Sequence, residues 1–245
     1  GEAALLEKLS HTNIVKLFVS FVCEEDSTFN LVTELYEGGS LADQIQIQAV
    51  GTAHSEEQLR RWLTQIMSAL CYMHGEARVL HRDIKPENIL LTSAGIVKII
   101  DLGLSVVMQV SSAARSRVGT STYSSYEKSV GKPYDGRDDV WAVGCVFVEL
   151  MTGARLTVSL CHAQLDPDIE AQRLGYVSSC RAAYGALMAS LVCAMLQPLQ
   201  KGRARSRDLY VRLLSGSCGA ADEAKIADMA DQLAAQQHQA DEEAA

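Results

Sequence analysis

Residues 81–103, HRDIKPENILLTSAGIVKIIDLG, place polar residues at fixed positions inside an otherwise apolar run. The stretch reads as a loop, a short strand, a turn, a second strand and an Asp-containing turn. His81-Arg82-Asp83 is followed by Lys85 and Asn88, and Asp101 closes the second strand. This set has the parts that an in-line phosphoryl transfer requires. A carboxylate must accept the hydroxyl proton, which suits Asp83. A cation must neutralise charge on the moving phosphoryl, which suits Lys85. Oxygen ligands must hold Mg²⁺ on the nucleotide phosphates, which suits Asn88 and Asp101. Little covalent work falls to the protein in such chemistry, so positioning and electrostatics dominate.

The flanking chain reads as elements that could hold this loop. Residues 1–9 have helical spacing, with Ala3, Leu6 and Leu9 near one face. Residues 14–22 and 28–35 read as two strands joined by a polar turn. Residues 55–74 are the clearest helix. Ser55 with Gln58 opens it as a capping box, and Leu59, Trp62, Leu63, Ile66, Met67, Leu70 and Met73 form its buried face. His74-Gly75 is expected to end it, and Trp62 is expected to be core. Residues 137–153 form an apolar helix with an acidic entry. Residues 154–182 are poorly patterned, with loops and one short helix expected. Helices are expected again over 183–197 and 206–214.

Composition excludes little but is consistent. With 245 residues and 48% hydrophobic content, the chain can bury a sizeable core. A net charge of −8 argues against nucleic acid as a partner. No apolar run in the sequence reaches membrane-spanning length, so no membrane partner is expected. Seven cysteines without C-x-x-C spacing suggest a reducing, intracellular and cytoplasmic setting. The first residue is Gly1 rather than Met, which suggests a fragment.

At HRD-x-K-x-x-N followed by D-x-G the chain resembles the eukaryotic protein kinases. The third motif is Asp101-Leu102-Gly103, with Leu where most kinases have Phe. Within the kinases it is most similar to the NIMA-related group, on EGGSLAD, SALCYMH, LHRDIKPENILLTSAGIVKI and DLGL. The resemblance covers about residues 1–214. It implies an α+β bilobal fold with a complete helical large lobe and a partial small lobe of one helix and two strands. The implied divisions are 1–36 as small lobe and hinge, 37–216 as large lobe, and 217–245 as an acidic, Ala/Gln-rich, solvated tail.

The same resemblance implies roles for further residues. Glu2 matches the helix glutamate whose strand-lysine partner would lie upstream of Gly1. Thr33 would guard the back of the adenine pocket. The backbone of Glu34 and Tyr36 would bond the adenine edge, and Leu90 would lie under the ring. His81 would pack with Leu102, Leu6 and Leu17 in an apolar spine. Asp139 would anchor the backbone of the catalytic loop. Glu127 would pair with Arg203. Arg82, with Arg115 or Arg117, would receive an activating phosphate, with Ser116 as its expected site and Ser111, Ser112 and Thr120 as competitors. Thr120 together with Lys85 points to Ser/Thr targets. ATP and Mg²⁺ are the implied cofactors, and proteins bearing Ser or Thr are the implied substrates, with regulatory protein partners possible.

The chain departs from the family pattern in two ways. Ser121 and Tyr126 stand where prolines are usual, and no G-x-G-x-x-G occurs in the sequence. The expected activity is transfer of the ATP γ-phosphoryl to Ser or Thr, with the 245 residues alone inactive. The rival expectation is a pseudokinase-like binding or scaffold domain. Glu87, beside the expected substrate path, suggests tolerance for basic residues near the target.

Overall fold

The computed structural model describes residues 2–25, 27–51, 53–107 and 119–216. The amino-terminal part is a short helix α1 (Glu2–Leu6) and an antiparallel hairpin of β1 (Leu17–Cys23) and β2 (Thr28–Thr33). β1 begins three residues later than the apolar run suggests. Ile14 and Val15 leave the hairpin to bond the later strand at Ile99, with Val15 N donating to Ile99 O (2.9 Å) and Ile99 N to Asn13 O (2.9 Å). This joint ties the amino-terminal part to the helical part. The hairpin itself is thinly covered: Phe18, Phe21, Val22 and Phe29 are all exposed.

The helical part begins with α2 (Leu41–Ala49). Ser40 caps it in a reciprocal box, its hydroxyl accepting from Asp43 N while Asp43 Oδ2 accepts from Ser40 N (2.7 Å). α3 (Glu56–Tyr72) follows, with Ser55 accepting from Gln58 N (3.1 Å). Its apolar face from Leu59 to Leu70 is fully buried, and Trp62 is core. The chain does not stop at His74-Gly75. It widens into a π turn over Met73–Ala77, and the left-handed residue that closes it is Arg78 (φ 57°). The wider turn leaves His74 facing Asp139, where it is needed.

Two short antiparallel pairs carry the loops of interest. β3 (Val79–Leu80) pairs with β6 (Val106–Val107), and β4 (Ile89–Leu91) pairs with β5 (Val97–Ile99). A one-turn helix α4 (Tyr126–Ser129) precedes α5 (Arg137–Thr152). α5 is buried along nearly its whole length and is the axis of the core, packed by α2 and by the long helix that follows it. Gly153 ends it at φ 69°.

Residues 167–182 form one continuous helix where loops and one short helix are expected. α6 (Pro167–Met195) is broken only at Gly185 (φ 78°, ψ −179°), so it is two consecutive helices. Asp166 caps it by accepting from Asp168 N and Ile169 N. Its buried side is Arg173, Leu174, Val177, Cys180 and Tyr184, a helical spacing carried partly by polar residue types. By length and composition α6 could cross a membrane, but half of its apolar window is buried inside the fold. α7 (Ser206–Ser215) closes the described chain. The expected solvated tail, 217–245, lies outside the described residues.

Candidate active site

The loop between β3 and β4 is built on α5. Asp139, in the first turn of α5, is 1% exposed. Its Oδ2 accepts from His81 N (3.0 Å) and its Oδ1 from Arg82 N (2.8 Å). His74 Nε2 donates to the same carboxylate at 2.8 Å, and Ser206 lies 3.2 Å from His74 Nδ1. Burial alone would raise the Asp139 pKa, but the hydrogen bond from His74 and those from the loop hold it down to about 2. A buried anion therefore clamps two successive amides. Arg82 sits at φ 71°, a conformation that L residues rarely adopt. Gly136 is needed beside this clamp, because a Cβ there would fall 2.5 Å from His74 Nδ1.

His81 is fully buried. Asp83 N donates to its Nδ1 (3.3 Å), and its Nε2–H donates to Ile100 O (2.9 Å). Burial pushes its pKa down, so the ring is a neutral packing and bonding group rather than an acid. Leu6 and Leu102 are buried in the same core cluster, with Leu17 packed against it.

Asp83 is held from three directions. Lys85 Nζ lies 2.7 Å from Oδ2, and Asn88 Nδ2 lies 3.2 Å from Oδ2 and 2.9 Å from the Asp83 carbonyl. Thr120 donates to Oδ1 twice, from its backbone N (2.9 Å) and its hydroxyl (3.0 Å). Burial opposes the charge on Asp83. The hydrogen bonds from Lys85 and Thr120 outweigh it and hold the carboxyl below the usual carboxylate range. Gly119 (φ 99°) allows this contact, since a Cβ there would run into Arg82 O and lie 3.2 Å from Asp83 Oδ1.

β4 and β5 bring the remaining polar residues beside Asp83. Ile100 N donates to Asn88 O (3.0 Å), so the strand end carrying Asp101 lies against Asn88. Asp101 is exposed, at φ 61°, and accepts from Gly103 N (3.2 Å). No ion pair among the described residues uses it. An exposed carboxylate at a strand end beside Asn88 suits a hard divalent cation that keeps waters and phosphate oxygens as its other ligands. Glu2 reaches the same turn, its Oε1 accepting from Leu102 N (3.1 Å).

The other expected residues fall as follows. Thr33 Oγ1 donates to Glu34 O (3.3 Å). The Glu34 carboxylate pairs with Lys98 (2.9 Å), whose Nζ also lies 5.9 Å from the Tyr36 ring centroid. Leu90, partly buried, bridges to Ser40. Arg82 Nε donates to Leu104 O (2.5 Å). Ser116 lies outside the described residues. Glu127 and Arg203 form a buried pair, with Arg203 Nη1 2.5 Å from Glu127 Oε1 and its guanidinium 4.9 Å from the Trp141 ring centroid. Tyr126 is pinned edge-on to His162 (5.8 Å), with Lys132 Nζ 5.1 Å from its ring centroid.

Sequence reasoning missed two anchoring residues. Lys128 is buried, donates to Arg82 O (2.6 Å) and pairs with buried Asp138 (3.1 Å). It gives no local signal, being one charge among several. Lys98 did give one. A lysine between Val97 and Ile99 in a buried strand requires an acidic partner.

A family described as "Protein kinase domain" matches residues 1–203. The chain is 40% identical over 152 residues to serine/threonine-protein kinase Nek1 of Mus musculus, covering 62% of this chain and 12% of that protein. It is 38% identical over 177 residues to serine/threonine-protein kinase Nek5 of Homo sapiens, covering 68% and 24%. It is 32% identical over 212 residues to a probable serine/threonine-protein kinase nek2 of Dictyostelium discoideum, covering 85% and 50%. The chain thus spans half or less of the length of each of these relatives.

Proposed function

Because this chain belongs to the protein kinase domain family, we propose that the protein carrying it transfers the γ-phosphoryl of ATP to Ser and Thr hydroxyls of other proteins. The observation that carries this reading is the Asp83 carboxylate, kept ionised by Lys85 and Thr120 and bonded by Asn88, on a loop clamped to Asp139. A degenerate scaffold would have no need of that convergence.

In this mechanism Asp83 orients the substrate hydroxyl and takes its proton. Lys85 holds positive charge beside that position and screens the transferring group. Thr120 fixes the carboxylate and leaves room for an alkyl hydroxyl. Asn88 and Asp101 would hold Mg²⁺, which supplies charge neutralisation on the phosphate oxygens when bound. Glu34 and Tyr36 lie on the segment that meets the adenine edge, with Leu90 beneath the ring. Arg82 and Ser116 form the regulatory part: phosphate on Ser116 adds about −2 charge for arginines to bind.

Residues 1–245 contain no G-x-G-x-x-G. Taken alone they are expected to bind ATP weakly, because the phosphates are unrestrained and misplacement by 1 Å can cost about 10²-fold. The reading is tested in the full-length protein by label transfer from γ-labelled ATP to matched Ser, Thr and Tyr peptides. Incorporation into Ser and Thr peptides supports it. Incorporation into none contradicts it.

A further inference from the structure

A second charged cluster lies at the mouth of this site, and the proposed chemistry makes no use of it. Glu87, four positions after Asp83, is exposed on the short 3₁₀ turn Pro86–Asn88. Glu149, near the end of α5, is 1% exposed. Arg155, three residues beyond α5, lies between them. Its Nη2 is 2.6 Å from Glu87 Oε1, and its Nη1 is 3.2 Å from Glu149 Oε2. Nη1 also donates to the Tyr123 hydroxyl (3.0 Å), which itself donates to Glu149 (3.0 Å). Leu156 N completes the set on Glu149 (2.8 Å).

The cluster is continuous with the catalytic carboxylate on two sides. Tyr123 follows Thr120 by three residues in one short turn, and Thr120 bonds Asp83. Glu87 is on the same loop as Asp83. Residues flanking a hydroxyl held at Asp83 would meet this cluster. Exposed Glu87, with buried Glu149 and the Tyr123 phenol behind it, makes a site for a guanidinium, and the chain's own Arg155 fills it.

The two halves of the cluster differ energetically. Glu149 is buried and needs a cationic or hydrogen-bonding partner. Glu87 is exposed, with 49% of its side chain accessible, so its pair with Arg155 adds little to stability. What the Glu87 contact does change is the charge that a substrate meets. Specificity is a difference of affinities, and a site already filled offers nothing to a competitor.

We propose that Arg155 is a built-in occupant of the substrate-arginine position, so that this kinase gains no affinity from arginine or lysine beside its target residue. The inference rests on the kinase reading above and revises the expectation from Glu87 alone. The residue sets specificity through Glu87 and touches no reacting atom.

The test uses the full-length protein and two peptides with one Ser, flanked either by arginines or by alanines. In the wild type the ratio of kcat/KM for the two is near one. Arg155→Gln keeps amide donors for Glu149 and Tyr123 but frees the charge of Glu87. It should raise the Arg/Ala ratio by roughly 10-fold, the worth of one charge-assisted hydrogen bond. Adding Glu87→Gln to that variant should return the ratio to near one. Glu87→Gln alone, an exposed change, should leave the ratio unaltered. Fluorescence anisotropy of the same peptides should follow the same order without turnover. An unchanged ratio and unchanged binding in Arg155→Gln, with the alanine peptide still turned over, would overturn this inference alone. So would a several-fold fall in the ratio in Glu87→Gln, because a substrate arginine would then already reach Glu87. No turnover of either peptide by the wild type would overturn the kinase reading, while the anisotropy order would still decide the role of Arg155.

Discussion

The Thr120 hydroxyl donates to Asp83 Oδ1 at 3.0 Å, joining the segment that begins at Gly119 to the loop after β3. This bond orients a carboxylate that Lys85 and Asn88 hold from the other oxygen. Thr120→Val removes the hydroxyl donor at nearly constant volume. It should lower kcat by about 10-fold, with a smaller change in KM, as loss of one hydrogen bond to a charged group predicts. Thr120→Ser keeps the donor and should stay within about 3-fold of wild type. Steady-state kinetics of the two variants check this.

Asp139 predicts a pH dependence of stability. Its carboxyl ordinarily titrates at 3.8, and in the fold it is held down to about 2. A folded-state pKa below the unfolded one stabilises the fold above pH 3.8, and this stabilisation is lost as pH falls through about 2. It amounts to about 2 kcal/mol at neutral pH. Asp139→Asn should therefore be less stable than wild type at pH 7, with the gap closing below about pH 4. Urea unfolding of both proteins across that range measures it.

The Glu127–Arg203 pair is buried, so each partner depends on the other. Arg203→Met leaves Glu127 uncompensated and should cost roughly 3–5 kcal/mol. The double change Glu127→Leu/Arg203→Met should cost less than the sum of the two single changes. A double-mutant cycle from denaturant unfolding reads the coupling.

Legibility in the sequence followed the range of the interaction. The polar loop after β3 could be read as one constellation because Asp83, Lys85 and Asn88 keep fixed local spacings, and the structure brings Lys85 and Asn88 onto Asp83. α3 could be read because Leu59, Leu63, Ile66 and Leu70 are apolar at helical spacing. The first half of α6 could not, because Arg173, Cys180 and Tyr184 carry its buried face and break the apolar pattern. The end of α3 was misplaced because His74-Gly75 looks like a stop, while contact with Asp139 keeps the turn going. The Arg155 cluster was invisible because Glu87 and Glu149 meet it only in three dimensions.

The hairpin predicts association. Phe18, Phe21, Val22 and Phe29 are 59%, 49%, 62% and 57% exposed. A polypeptide of residues 1–245 alone should self-associate through this surface and its open strand edges. Phe18→Ser with Phe29→Ser should shift it toward monomer. Sedimentation velocity distinguishes the two, and an unchanged distribution would place the association elsewhere.

The central claim is that Asp83 handles the substrate proton in a phosphoryl transfer, and one measurement addresses it most directly. Single-turnover transfer from γ-labelled ATP to a Ser peptide is compared between the full-length wild type and Asp83→Asn, with Mg·ATP affinity measured by calorimetry on both. The account predicts a transfer rate lower by roughly 10²–10⁴ in the variant, with nucleotide affinity within about 3-fold. Transfer at the wild-type rate in Asp83→Asn would contradict it.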